Sequence, residues 1–189
     1  MYITGYNVNK RIDRYAKIIS EMENNPSHNL NAPLKEIELT DADKTEFMSA
    51  LNGEIFPLLA RRRNYIILRL DSFVAAGNTP DYNPRTLSIE HVLPQTIEAG
   101  SQWEAWWPNA KDRTLWQHRI ANLVPLTRRK NSAAQNFDFD KKKNVYFAVG
   151  GTITYPLTVQ VLNETTWTPD VVSARQENLL DVFKKNWEL

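Results

Sequence analysis

Two short strand-like runs, Thr86 to Leu93 and Asn122 to Thr127, lie about thirty residues apart, with patterns of helical spacing on either side. Read in order, residues 86–147 give a strand, a loop, a second strand and then a polar stretch from Asn131 that can become helix. The expected class is therefore mostly helical α+β, with a small strand–strand–helix unit embedded between helical flanks. The flanks are 1–85 and 148–189, and the unit itself is 86–147.

The first flank carries Ile12, Tyr15, Ile18, Ile19 and Met22 at helical spacing, and Thr40 with Asp43 resembles a capping box opening a helix through Leu51. From Asn64 to Ala76 a stripe of Ile66, Ile67, Leu70, Phe73 and Val74 predicts a core helix with Gly77 as its C-cap. The last flank starts with β-branched and aromatic residues from Gly151 and then turns helical. There Thr168, Pro169 and Asp170 read as N-cap, first-turn proline and first-turn acid, ahead of a stripe through Val172, Leu179, Leu180, Phe183 and Trp187.

A chain of 189 residues suits a single core, so one domain is expected. There is no cysteine, which excludes disulfides, thiol nucleophiles and four-thiolate zinc knuckles, so any metal must use oxygen or imidazole ligands. No apolar run approaches the roughly 20 residues that cross a bilayer, and Met1 to Lys10 lacks a signal-peptide stretch. A cytoplasmic protein with no membrane partner is expected. No phosphate-cradling glycine loop occurs, so nucleotide control would have to reside elsewhere.

The net charge of +1 hides an uneven distribution. Residues 111–143 hold nine Lys and Arg against three acids, a basic tract of the kind that meets phosphates or merely faces solvent. Within it, Arg119, Arg128, Arg129, Lys130, Lys141 and Lys142 are the candidate nucleic-acid contacts. Trp103, Trp106 and Trp107 lie in the long loop between the strands, where packing onto the body is a better reading than base stacking.

The chemistry-bearing pair is Glu90-His91, inside Leu87-Ser88-Ile89-Glu90-His91-Val92-Leu93-Pro94-Gln95. On a strand the two side chains take opposite faces, so they would serve different atoms. Alone, the pair is equally a structural or exposed histidine. Beyond it come Asn122-Leu123-Val124-Pro125-Leu126-Thr127 and then Asn131, completing the order His, Asn, Asn around two strands and a helix start. With Arg63 to Leu70, the lysine-bearing Phe139 to Tyr146 segment, Arg175-Gln176 and Trp187, the chain resembles the C-terminal HNH (His-Me finger) nuclease domain of GmrSD-type, modification-dependent restriction enzymes. The resemblance covers roughly 10–189. Ala121 stands where that family often has glycine.

The resemblance implies a ββα-metal fold, cleavage or nicking of DNA in anti-phage restriction, and an N-terminal sensing and NTPase domain in the full-length protein; it leaves dimerisation open. Phosphodiester hydrolysis needs a base and charge neutralisation at the phosphate. His91, with an ordinary pKa near 6.5, is the candidate base, and Asn122 the residue bracing the loop beyond it. Glu90 and Asn131 offer the hard oxygens that suit Mg²⁺ or Mn²⁺, although Asn131 is also placed to be a helix N-cap. His118 admits three readings: third ligand, phosphate contact or structural histidine. An inactive nucleic-acid-binding module and an RNA nuclease are the competing functions.

Overall fold

A computed structural model of the protein describes residues 8–25, 34–78, 80–147 and 155–189. These fall into two compact units, Met1–Ala50 and Leu51–Leu189. In the first unit, α1 (Val8–Asn24) extends the expected helix at both ends, and its apolar residues Ile12, Tyr15, Ile19 and Met22 are all exposed. Arg14 ties this unit together, with its guanidinium on the Asp43 carboxylate at 3.2 Å and on the Glu38 carbonyl at 2.9 Å. The capping box is formed: Asp43 N donates to Thr40 Oγ1 and Thr40 N to Asp43 Oδ2, each at 3.1 Å, at the start of α2 (Asp41–Leu51).

The second unit is mostly helical with one small sheet. Its helix α3 (Ala60–Val74) begins earlier than the apolar stripe predicts, and buries Ile66, Ile67 and Leu70 completely. Past its end the backbone turns left-handed at Ala76 and Gly77. Strands β1 (Leu87–His91) and β2 (Leu123–Thr127) pair antiparallel, with Glu90 opposite Val124 and His91 opposite Leu123. The residues between them are not a loop. They form α4 (Gln102–Trp106), capped by Ser101, and α5 (Ala110–Gln117), capped by Asn109, because each cap side chain accepts an orphan amide of its helix. Trp103 and Trp107 are fully buried, with indole N–H groups on the Phe137 and Trp167 carbonyls, so packing is their role.

After β2 the chain enters α6 (Arg128–Ala134) at once, with Thr127 as its cap. Asn131 therefore sits inside the first turns of α6 and is not its N-cap. A single turn, α7 (Phe139–Lys141), widens into a π-helical segment, Lys142–Phe147. Next come α8 (Pro156–Asn163) and α9 (Pro169–Trp187), the latter packed against α3 and the turn before β2. Residues 151–154, where the β-branched run of the last flank begins, and His28 lie outside the described residues. Thr168 stands at the N-cap position of α9 but makes no side-chain cap bond.

The bonds Val92 N to Asn122 O and Arg128 N to Thr86 O fix which residues of the ribbon face one another through hydrogen bonds. Residues 87, 89 and 91 of β1 consequently point their carbonyls outward. Each is taken by a side chain: Leu87 O by Arg128 Nε at 3.2 Å, Ile89 O by Asn131 Nδ2 at 3.1 Å and His91 O by Lys142 Nζ at 2.8 Å. On the other side, Pro125 turns its imide nitrogen outward, and its carbonyl accepts the Thr158 hydroxyl of α8 at 2.7 Å.

Candidate active site

The end of β1 delivers Glu90 and His91 to one cavity of about 260 Å³, which Phe56, Gln95, Asn131, Gln135 and Lys142 also line. Alternation along the strand separates the two side chains, and the cavity reaches both because it wraps the strand's outer edge. Each is about 6% exposed.

His91 is held on three sides. Its Nε2 lies 3.1 Å from Nδ1 of His118, its Nδ1 lies 3.2 Å from Nε2 of Gln95, and the Phe56 ring packs at 4.0 Å between centroids. Burial, then the charges of His118, Lys142 and Arg63, push its pKa down to about 3. The imidazole is thus neutral at physiological pH, as a proton acceptor must be. Between pH 6.5 and about 3 the unfolded chain binds a proton here that the folded chain does not, so this residue's contribution to stability is lost as pH falls through that window. Stability of the His91→Asn variant should therefore fall less steeply than wild type below pH 6.5, by up to about 1.4 kcal/mol per pH unit. Denaturant titrations at pH 7 and pH 5 check this, and parallel losses in the two proteins would contradict it.

Glu90 meets Lys142. The ammonium has no exposed surface, and its three protons reach Glu90 Oε1 at 2.7 Å, His91 O at 2.8 Å and Val92 O at 3.2 Å. Burial pushes the Glu90 carboxyl above its ordinary value and the Lys142 ammonium below its own, and each charge holds the other against that push. Lys142 was expected to contact phosphate. It cannot, because it is spent inside the domain on Glu90 and on the backbone of the residues after it.

Asn122 is fully buried and saturated. Its Oδ1 accepts from Leu93 N at 2.7 Å and Trp167 Nε1 at 3.1 Å, while its Nδ2 donates to the Leu93 and Gln117 carbonyls, each at 3.0 Å. It spans from β2 to the loop beyond His91 and does not line the cavity. Asn131 does line the cavity, and its Nδ2 is committed to Ser88 Oγ and Ile89 O. Its amide oxygen is the end left for a ligand among the described residues.

The remaining basic candidates divide. Arg128 is exposed, yet its guanidinium serves the Leu87 and Pro84 carbonyls. Arg129 is exposed and Lys130 half-buried, both on the helix that carries Asn131. Lys141 is exposed, with its ammonium 3.3 Å above the Phe137 ring. Arg119 is half-buried over Trp116 and lines a different cavity, with Glu54 and Lys111. The structure adds Phe56, Gln95 and Gln135 to the site. Gln95 stands four residues after His91, a local cue; Phe56 comes from far upstream, with no local pattern to announce it.

Among the described residues no three His, Cys, Asp or Glu side chains gather around one point as a metal cluster would. No helix among them is long and apolar enough to cross a membrane. A search of curated proteins finds no match. The model of the family described as GmrSD restriction endonucleases, C-terminal domain, matches residues 41–182, a span that contains every residue lining the His91 cavity. The chain belongs to the C-terminal domain family of the GmrSD restriction endonucleases.

Proposed function

We propose that this chain is a divalent-cation-dependent DNA endonuclease of the HNH, His-Me finger class, with β1, β2 and α6 as its ββα-metal unit and anti-phage restriction as its setting. The observation that carries the reading is a neutral imidazole on the same cavity as a carboxylate and an amide oxygen, His91 beside Glu90 and Asn131. Nδ1 of His91 lies 3.2 Å from Gln95 Nε2 on the cavity wall, and an entering water would take the place of that amide at the Nδ1 lone pair. That water gives its proton to Nδ1 while its oxygen attacks phosphorus, and the bond to the leaving 3′ oxygen breaks. A nearby phosphate favours the imidazolium and raises the low pKa of the empty site toward the working range.

The donors fit a hard cation, since they are oxygens on a cavity with room for water and phosphate. Glu90 and the Asn131 amide oxygen would hold Mg²⁺ or Mn²⁺, which would neutralise phosphate charge and stabilise the leaving oxygen. Lys142 keeps the Glu90 carboxyl ionised in a dry setting and fixes its direction. Arg129, Lys130 and Lys141 would meet flanking phosphates, a sequence-independent contribution sensitive to salt. The cavity edge, where Gln95, Gln135 and Asn136 offer amides, suits a strand threaded past β1. A sensing and NTPase domain in the full-length protein would license cutting.

Nicking of supercoiled plasmid tests the proposal. Activity is expected with Mg²⁺ or Mn²⁺ and none with EDTA. Full activity in chelator removes the cation and the roles of Glu90 and Asn131, whereas binding without cleavage under every condition favours the inactive module.

A further inference from the structure

We infer that His118 is a positioning residue that fixes the tautomer of His91, holding the proton on Nε2 so that Nδ1 stays unprotonated on the Gln95 side of the cavity. The inference rests on the reading of His91 as the base. It starts from the donors available. Gln95 turns its amide nitrogen, which can only donate, toward His91 Nδ1 at 3.2 Å. With the amide so turned Nδ1 accepts, and a neutral imidazole has its single proton left for Nε2. That proton meets His118 Nδ1, 3.1 Å away, which accepts it in the tautomer that carries its own proton on Nε2. The three side chains form one directed line of hydrogen bonds, from Gln95 through His91 to His118.

Gln95 alone does not decide the tautomer, because half a turn of its amide would offer an acceptor instead of a donor. The second partner supplies the matching acceptor for the arrangement in which Gln95 donates, and the fold holds its ring firmly. His118 caps the end of α5, and its carbonyl accepts from Ile55 N at 2.8 Å and Phe56 N at 3.1 Å. Its ring stacks on Phe56, 14° from parallel at 5.6 Å, and that same Phe56 packs on His91 and is covered on another side by the Arg63 guanidinium at 4.2 Å. A single aromatic ring thus sets the mutual geometry of the two histidines. Were the His118 acceptor absent, Nε2–H of His91 would be a buried donor without a partner, and moving the proton to Nδ1 would relieve that cost while closing the face that takes the water's proton.

The test uses His118→Phe, which keeps a ring to stack on Phe56 while removing the acceptor, and His118→Asn, whose amide oxygen can stand where Nδ1 stood. Nitrogen NMR of the metal-free protein at neutral pH reads the His91 tautomer directly, and plasmid nicking reads kcat and KM. The wild type should carry the proton on Nε2. The His118→Phe protein should show a mixture of tautomers and a kcat lower by about 10- to 100-fold, as orienting partners of histidines generally give, with KM for DNA within a few-fold. His118→Asn should restore both. A wild-type His91 protonated on Nδ1, or a His118→Phe protein with unchanged tautomer and kcat, overturns the inference. If the tautomer shifts as described while no protein cuts DNA, His118 still positions His91 and it is the nuclease reading that fails.

Discussion

His91→Ala is expected to lower DNA cleavage by at least about 100-fold while leaving the domain folded and DNA affinity within a few-fold. The loss is in chemistry because, among the described residues lining the cavity, the imidazole is the one neutral base beside Glu90 and Asn131. The fold should survive because the anchors of this stretch are backbone atoms. Lys142 holds the carbonyls of residues 91 and 92, and Asn122 holds both backbone groups of Leu93, whatever side chain stands at 91. Affinity should survive because an uncharged ring contributes nothing to phosphate attraction. Single-turnover cleavage alongside anisotropy binding separates these quantities, and a folded His91→Ala protein that cuts at the wild-type rate would falsify the assignment of the base.

Lys142→Met should destabilise the domain by about 3–5 kcal/mol, the range found when one partner of a buried ion pair is removed. Methionine keeps most of the volume, so packing is little disturbed. What is lost is the counter-charge to Glu90 and the donors to two carbonyls, all inside the protein. Against a total stability of about 5–15 kcal/mol for an ordinary domain, such a change is large. Adding Glu90→Gln should recover part of it, because no buried charge is then left alone. Urea denaturation of the single and double variants measures both effects. A loss below about 1 kcal/mol in Lys142→Met would show that the ammonium is not spent as described, and would restore it to the surface contacts.

Lys142 also marks where the sequence stops being readable. Lys141, Lys142 and Lys143 are identical neighbours with three fates: over the Phe137 ring, beneath Glu90, and on the Glu164 carbonyl. Composition assigns them one role, and only the change from α7 to the π-helical segment sends the middle one inward. The strands were legible because aliphatic and β-branched runs bounded by turn residues leave few alternatives, and β1 and β2 fall within the expected runs. The helices between them were signalled too, by Ser101 three residues before Glu104 and by Asn109 ahead of α5, but the tryptophans drew the reading toward a loop. The approach of His118 to His91 was not legible. It depends on Phe56, which arrives from another part of the chain and stacks against both rings.

The ribbon beneath the site has a consequence for how copies of the protein meet. Two strands alone leave two bare edges, and a bare edge is a template on which a strand from another molecule can add. Here Arg128, Asn131 and Lys142 cap alternate carbonyls of β1, and Pro125 leaves the far side of β2 without a donor at its centre. These groups disfavour the addition of a strand at either edge without the cost of a third strand. Substituting Arg128, Asn131 and Lys142 together would bare three outward carbonyls of β1.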